Sequence, residues 1–285
     1  MALRQIVVVA EDDPVAREVA GRWGTPPASG IVADGTPIRT VAPGVGLWRR
    51  PGPHIRDERI DRWLPAELVA SRPTLLFPSI HRSDAGIPCL TVHPLGNPGE
   101  AAELGGRPAT WNPTDARGMA HVLRRLADPA AALGLPATYE ATHHGPELRL
   151  PSFFVEIGMP KGGDLPEGAA RVLAGILAEA LPRDSDDRIA LAIGGGHYAP
   201  HFTELALMRR WAFGHIVSRH ALERLTPASA RAAWEASEGR EGILFARARD
   251  AEHPAVAGLG PRLKEGLAPP RTGPPTGSPP DGPFP

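Results

Sequence analysis

Five of the eleven histidines, His81, His93, His143, His144 and His197, stand at or just beyond the ends of apolar, strand-like runs, and Glu156 lies inside another such run. Imidazole titrates near neutrality and ligates metals through either ring nitrogen. A convergent set would therefore suit general acid and base work or hold a cation. Ionisable groups in apolar surroundings are costly unless they have a partner or a task. His81, His93, His143, His144 and Glu156 are the candidate metal ligands, an N/O inventory of the zinc kind with no thiolate cluster. The same four histidines with His197 are the candidate acids and bases. The competing reading makes the histidines satisfied core or turn residues and Glu156 a structural ion-pair partner.

The elements that would position them can be read from periodicity. Ile6 to Ala10 is a β-branched run with almost no alternation, the signature of a central strand, and Asp13-Pro14 starts a helix with Val15, Val19 and Trp23 on its apolar stripe. Thr25 to Asp57 lacks sustained periodicity and reads as hairpins or a long surface excursion. Thr74 to Ile80 and Cys89 to His93 are strands. Thr114 to Ala127 is a helix capped by Thr114, with His121, Arg124 and Arg125 on its solvated side. If Ala137 to His144 is extended, Tyr139, Ala141 and His143 share one face and Thr142 and His144 the other, so only one of the two histidines enters a given pocket. In the next strand Phe153, Val155 and Ile157 face together, leaving Glu156 beside Phe154. Pro166 to Leu181 is an amphipathic helix, Arg188 to Ile193 a buried strand, Gly214 to Ser218 another, Pro227 to Ser237 a late helix and Gly242 to Arg247 an edge strand. The alternation predicts a three-layer α/β/α fold with a mixed, mostly parallel sheet. A single α/β domain spans 1–262, and the Pro- and Gly-rich residues 263–285 form a disordered tail.

Gly194, Gly195 and Gly196 precede His197 and would let backbone amides approach an oxyanion, with Thr142 and Tyr198 as further contacts to substrate. Pro200 argues against a regular helix joining His197 to His201, and His201 reads as solvated. No G-x-S-x-G elbow or P-loop lysine is present, and Cys89 lies in an apolar strand, so water is the expected nucleophile, with Ser79, Ser83 or Thr142 able to orient it. Lys and Arg total 31 against 32 Asp and Glu. That balance gives no global field for DNA, and RNA contact would need a local patch. Arg49, Arg50, Arg56, Arg59 and Arg62 read first as a solvated face; with Arg209, Arg210 and Arg219 they are the candidates for contact with an RNA backbone. No leader or membrane span is visible, which together with the single cysteine predicts a cytoplasmic protein, with a monomer favoured.

Three strings carry a resemblance: "FPSIHRSDAGIPCLTVHPLGN" (Phe77 to Asn97), "YEATHHGPELRLPSFFVEIG" (Tyr139 to Gly158) and "IGGGHYAPHFTE" (Ile193 to Glu204). With "VVVAEDDPVA" and Gly214-His215-Ile216, they resemble the archaeal and plant type of D-aminoacyl-tRNA deacylase. The resemblance covers most of residues 1 to about 225 and departs from the family at Met159 to Gly168, at His201 and in the tail. It implies hydrolysis of the ester between a D-amino acid and the terminal ribose of tRNA, zinc dependence, and a fold similar to peptidyl-tRNA hydrolase and the nucleoside phosphorylases. Its motif positions include all five histidines and Glu156, without settling which are ligands and which are bases. The rival functions are a metal-dependent hydrolase or phosphorylase of a small ester, amide or nucleoside, and a non-catalytic RNA-binding protein.

Overall fold

The computed structural model describes residues 3–82, 86–159, 162–182, 184–238 and 240–263; Ser83, Pro160, Lys161 and the chain from 264 onward, which holds nearly all of the expected tail, lie outside them. The chain begins with β1 (Gln5–Ala10), α1 (Pro14–Gly21), β2 (Ala28–Ala33), β3 (Thr36–Ala42), β4 (Val45–Arg50), α2 (Ala66–Ala70) and β5 (Thr74–His81). It continues with β6 (Cys89–Pro94), β7 (Gly96–Asn97), β8 (Thr110–Trp111), α3 (Ala116–Ala132), β9 (Ala137–Tyr139), β10 (Ser152–Gly158) and α4 (Ala169–Leu177). The last elements are β11 (Arg188–Ile193), α5 (Pro200–Arg209), β12 (Trp211–Val217), α6 (Arg219–Leu222), α7 (Pro227–Ala236) and β13 (Arg240–Phe245).

Eight strands form one sheet in the order β2-β3-β4-β1-β5-β10-β6-β9. The junctions β4-β1, β1-β5, β5-β10 and β6-β9 are parallel, whereas β2-β3, β3-β4 and β10-β6 are antiparallel, so the sheet is mixed and mostly parallel as predicted. β1 is central and all six of its residues are buried, because a strand covered on both faces can be apolar without alternation. The β10 alternation holds: Phe153, Val155 and Ile157 pack into the helix-covered core with α1, α3 and α4, while Phe154 joins the cluster on the opposite face.

One sheet was expected, and the described residues form two more, the short β7-β8 pair and a three-stranded sheet. β12-β11-β13 is a separate, all-parallel sheet. Ala190, Ala192 and Phe213 face the main core, and Leu191, Ile193 and Val217 face the α7 side. Strand-length apolar runs do not disclose which sheet they join.

Other differences are local. Asp115, not Thr114, caps α3, accepting from the Gly118 amide at 2.7 Å; a carboxylate beside three free amides outcompetes a hydroxyl one residue earlier. Arg124 is not solvated but pairs with Asp187 at 2.8 Å. Of the two readings of residues 25–57 the hairpins hold, β2-β3 and β3-β4 being antiparallel, and the surface excursion does not, since β4 lies beside β1 with Val45, Gly46, Leu47 and Trp48 buried. Arg50 in that strand is buried between Asp34 and Asp57, stacked on Trp48, which removes it from the solvated face. The amphipathic helix of residues 166–181 is confined to α4, and α5 begins at Pro200, whose missing donor is no loss at a first helical position.

Candidate active site

Neighbouring strands bring the first three side chains together. His81 ends β5, and His93 and Glu156 lie in β6 and β10, with β10 paired to both. Glu156 Oε2 is 3.2 Å from His81 Nδ1 and 3.6 Å from His93 Nε2. Phe154, two residues before Glu156 and on the same face, lies parallel to the His93 ring with centroids 5.2 Å apart. Asp13 secures the end of β5: one oxygen caps α1 at Ala16, and the other accepts from the Ser79 hydroxyl at 2.9 Å and the Ile80 amide at 3.1 Å. The Ser79 hydroxyl is thus spent on structure and not aimed at water.

Beyond Tyr139 the chain leaves β9 and crosses to the small sheet. The Glu140 amide donates to Val92, Ala141 to His197 at 2.7 Å and Thr142 to Ile216 at 2.8 Å. Extended geometry ends there, and His144 takes a left-handed φ of 45°. The expected division of His143 and His144 between two faces therefore fails, because a residue with positive φ reverses the chain and breaks the alternation. Both rings meet His93, at 4.2 and 5.0 Å between centroids, and each other at 4.5 Å.

Each of these three rings is anchored the same way. His93 Nδ1 donates to the Pro94 carbonyl, His143 Nδ1 to Ala141 at 2.8 Å and His144 Nδ1 to Gly145 at 2.7 Å. A carbonyl can only accept, so in the neutral ring each Nε2 is left as a lone pair. Fixing the distal nitrogen in this manner is how proteins orient metal-binding imidazoles.

Sequence reasoning missed Glu140. It lies inside the quoted "YEATHHG" string, yet the two histidines drew attention away from the only carboxylate there. It is fully buried, with His197 Nε2 at 3.1 Å, His81 Nδ1 at 3.3 Å and His143 Nε2 at 3.7 Å. Tyr198 bridges to Glu140 in the backbone and places its hydroxyl 3.0 Å from His81 Nε2.

The charges are mutually supporting. Burial lowers the His81 pKa, but Glu140 and Glu156 overcome it and raise it to about 9. Burial likewise raises Glu156, and His81 and His93 reverse this to about 2; Glu140 is also held well below the carboxylate range, chiefly by His81 and His197. His143 and His144 go the other way. Burial and the nearby His93 charge depress both, His144 to about 4, so these two rings are neutral at pH 7.

The remaining predicted contacts divide. The Gly194 amide is committed to the Val217 carbonyl at 2.8 Å, which leaves Gly195 and Gly196 as the candidates for oxyanion donors. A Cβ on Gly194 would stand 2.2 Å from Asp250 Oδ2, so this glycine meets a packing demand. The Thr142 hydroxyl lies 3.0 Å from His215 Nδ1, deep in the protein rather than over the histidines. His201 is half-buried in the first turn of α5 and belongs to none of the metal-competent groups among the described residues.

Among the described residues three such groups occur: His93, His143 and His144; His81, Glu140 and His197; and His93, Glu140 and Glu156, each with one set of ligand atoms within 4.8 Å of one another. Ligands about 2.0–2.1 Å from a tetrahedral ion lie roughly 3.4 Å apart, so this spacing needs only small adjustments. His93 Nε2 and both Glu140 oxygens are buried and lack a well-formed hydrogen bond. Such atoms are costly to bury, and a cation would satisfy them. The residues therefore fit a divalent ion held by nitrogen and oxygen.

Comparison with known proteins agrees with this geometry. A solved structure described as a conserved protein of unknown function superimposes with a TM-score of 0.78, at 25% identity over 92% of this chain and 95% of that one. The chain is 35% identical over 174 residues to a D-aminoacyl-tRNA deacylase of Thermoplasma acidophilum, 43% over 175 to one of Methanosphaerula palustris and 38% over 165 to one of Pyrococcus abyssi. Those matches take in 57–61% of this chain and span 67%, 38% and 60% of the respective relatives. The profile of the D-aminoacyl-tRNA deacylases matches residues 70–258, the stretch that contains all five histidines and both buried carboxylates. The chain belongs to the D-aminoacyl-tRNA deacylase family.

Proposed function

We propose that the protein hydrolyses the ester joining a D-amino acid to the 3′-terminal ribose of tRNA, with water as nucleophile and a divalent cation, zinc by donor chemistry, as cofactor. One observation carries the reading. Five imidazoles and two buried carboxylates from β5, β6, β10 and the segments after β9 and β11 converge on one site, in a chain of this family. The cation would be held by subsets of His81, His93, His143, His144, His197, Glu140 and Glu156. When bound, it would supply Lewis-acid polarisation and lower the pKa of water.

The chain's own groups account for the rest. A neutral imidazole not engaged as a ligand, from the pair His143 and His144, accepts the proton of the attacking water through Nε2. Water adds to the acyl carbon, the carbon–oxygen ester bond breaks, and the ribose hydroxyl leaves with a proton. Amides of Gly195 and Gly196 would stabilise the developing oxyanion, with His197 next in the chain. Exclusion of one arrangement of side chain and amine around the α-carbon would set the choice of D over L substrate. The deciding measurement is single-turnover hydrolysis of paired D- and L-aminoacyl-tRNA, with metal removed by chelation and restored. D-selective cleavage that vanishes and returns with zinc is expected. Equal rates on both enantiomers, or on free D-amino acid esters, would overturn tRNA chiral proofreading as the function.

A further inference from the structure

Behind the histidine pair runs a chain of hydrogen bonds whose directions are forced. The Asn112 carbonyl can only accept, so His215 donates to it from Nε2 at 2.9 Å. The Ile216 amide can only donate, so the Thr142 hydroxyl oxygen accepts from it at 3.1 Å. Between these fixed ends, Thr142 Oγ1 and His215 Nδ1 are 3.0 Å apart. With the ring proton on Nε2, the hydroxyl must donate to Nδ1. Asn112, Thr142, His215 and Ile216 are all buried, and the edge of Trp111 packs against the His215 ring.

The chain pins both ends of one turn. Thr142 is held by Ile216 and His215 of β12, and the Asn112 side-chain amide donates to the Pro146 carbonyl at 2.8 Å. Between those anchors lie His143 and His144, the latter in its left-handed conformation and accepting from the Gly96 amide at 2.8 Å. The geometry assigns His215 a positioning role: from the small sheet it fixes the Thr142–Pro146 turn, and with it the places where His143 and His144 present Nε2. A rigid ring offering a donor at one end and an acceptor at the other is what this gap requires; Phe offers neither. The Thr142 hydroxyl, having donated inward, has no proton left for substrate. This role rests on the reading that His143 and His144 serve the hydrolytic site.

The test uses the full chain with His215→Phe, His215→Asn, Thr142→Val and the double variant His215→Phe/Thr142→Val. Two readouts are taken: kcat and KM for D-aminoacyl-tRNA, and zinc affinity by competition with a chromophoric chelator. Each of His215→Phe and Thr142→Val is expected to lower kcat, and zinc affinity, by about 10- to 100-fold with KM within about two-fold, the usual cost of losing a group that orients ligands or reactants. The double variant should be no worse than either single one, since both break the same chain. Asn at 215 can present Oδ1 near the Nδ1 position and should recover part of the loss.

Folded single variants with kcat and zinc affinity within about two-fold of the parent would overturn the role. So would losses that multiply in the double variant, or an Asn variant no better than Phe. If the His215 variants fail to fold, Thr142→Ser against Thr142→Val decides, because serine keeps the hydroxyl: retained function in Ser and loss in Val supports the role, and equal values overturn it. A parent that binds zinc tightly, weakens on Thr142→Val and yet cleaves no aminoacyl-tRNA would refute the proposed function while supporting the positioning role.

Discussion

Replacing His215 by Phe should make stability respond to pH in a way that can be worked out beforehand. The ring has no exposed surface, and burial drives its pKa from 6.5 down to about 3. Below pH 6.5 the unfolded chain takes up a proton here, whereas the native chain does not until about pH 3. The contribution of the neutral ring is therefore complete above 6.5 and is lost as pH falls through that window. Each pH unit is worth about 1.4 kcal/mol, so between pH 6.5 and 5 the parent loses about 2 kcal/mol at this residue alone. His215→Phe keeps the bulk and carries no proton. At pH 8 it should be the less stable protein, because the Asn112 carbonyl and Thr142 hydroxyl lose their partner at about 1–3 kcal/mol for each buried group. By pH 5 that gap should have narrowed by about 2 kcal/mol. Urea unfolding at a series of pH values, with chelator present so that bound metal adds nothing, gives both curves. A gap that stays constant or widens as pH falls would refute the argument that His215 is buried neutral.

Two further outcomes test the electrostatics and the glycine loop. In chelator, His81 should titrate near 9 by NMR in the parent and fall toward its ordinary value of 6.5 in Glu140→Gln, since Glu140 is the strongest influence raising it. The stability that this charge contributes is present below pH 6.5 and disappears as pH rises through 9; an unmoved His81 would show that Glu140 does not face it. Gly194→Ala should destabilise by roughly 2 kcal/mol or more, because φ is 103° and the new Cβ meets Asp250. Gly195→Ala, with φ of 81° and open space around it, should cost only about 1–2 kcal/mol of backbone strain, and equal losses at the two positions would count against the steric reading.

Much of the large sheet was legible because its strands are apolar on both faces and short, as with Ile6 to Ala10, or alternate cleanly, as from Phe153 to Ile157. The gathering of His81, His93, His143, His144 and His197 was legible too, since strand ends in α/β folds lie along common edges. What escaped depends on contacts between distant segments. His144 turns back because Gly96 holds its carbonyl while Ile216 and Asn112 hold the chain at Thr142 and Pro146 on either side of it, and no local pattern announces that. Thr142 looked available to substrate until His215, 73 residues away, claimed its hydroxyl. Glu140 escaped because its partners are distant in the sequence: only the rings arriving from the ends of β5 and β11 explain its burial. Arg50 was misread for the same reason, its two aspartates lying 16 residues before and 7 after it.

The crossing of residues 140–142 from one sheet to the other makes the small sheet more than a neighbour. Its β11 segment supplies His197 and its β12 strand clamps the turn that bears His143 and His144, so the constellation exists only when both sheets have docked. A chain synthesised only as far as β10 already carries most of the reactive groups, and its strand pairing can set His81, His93 and Glu156, but it lacks His197 and the clamp on the turn that bears His143 and His144. The proposed catalytic apparatus would thereby be withheld until the tertiary structure is finished, and its hydrolytic rate would report on whether the two sheets have met.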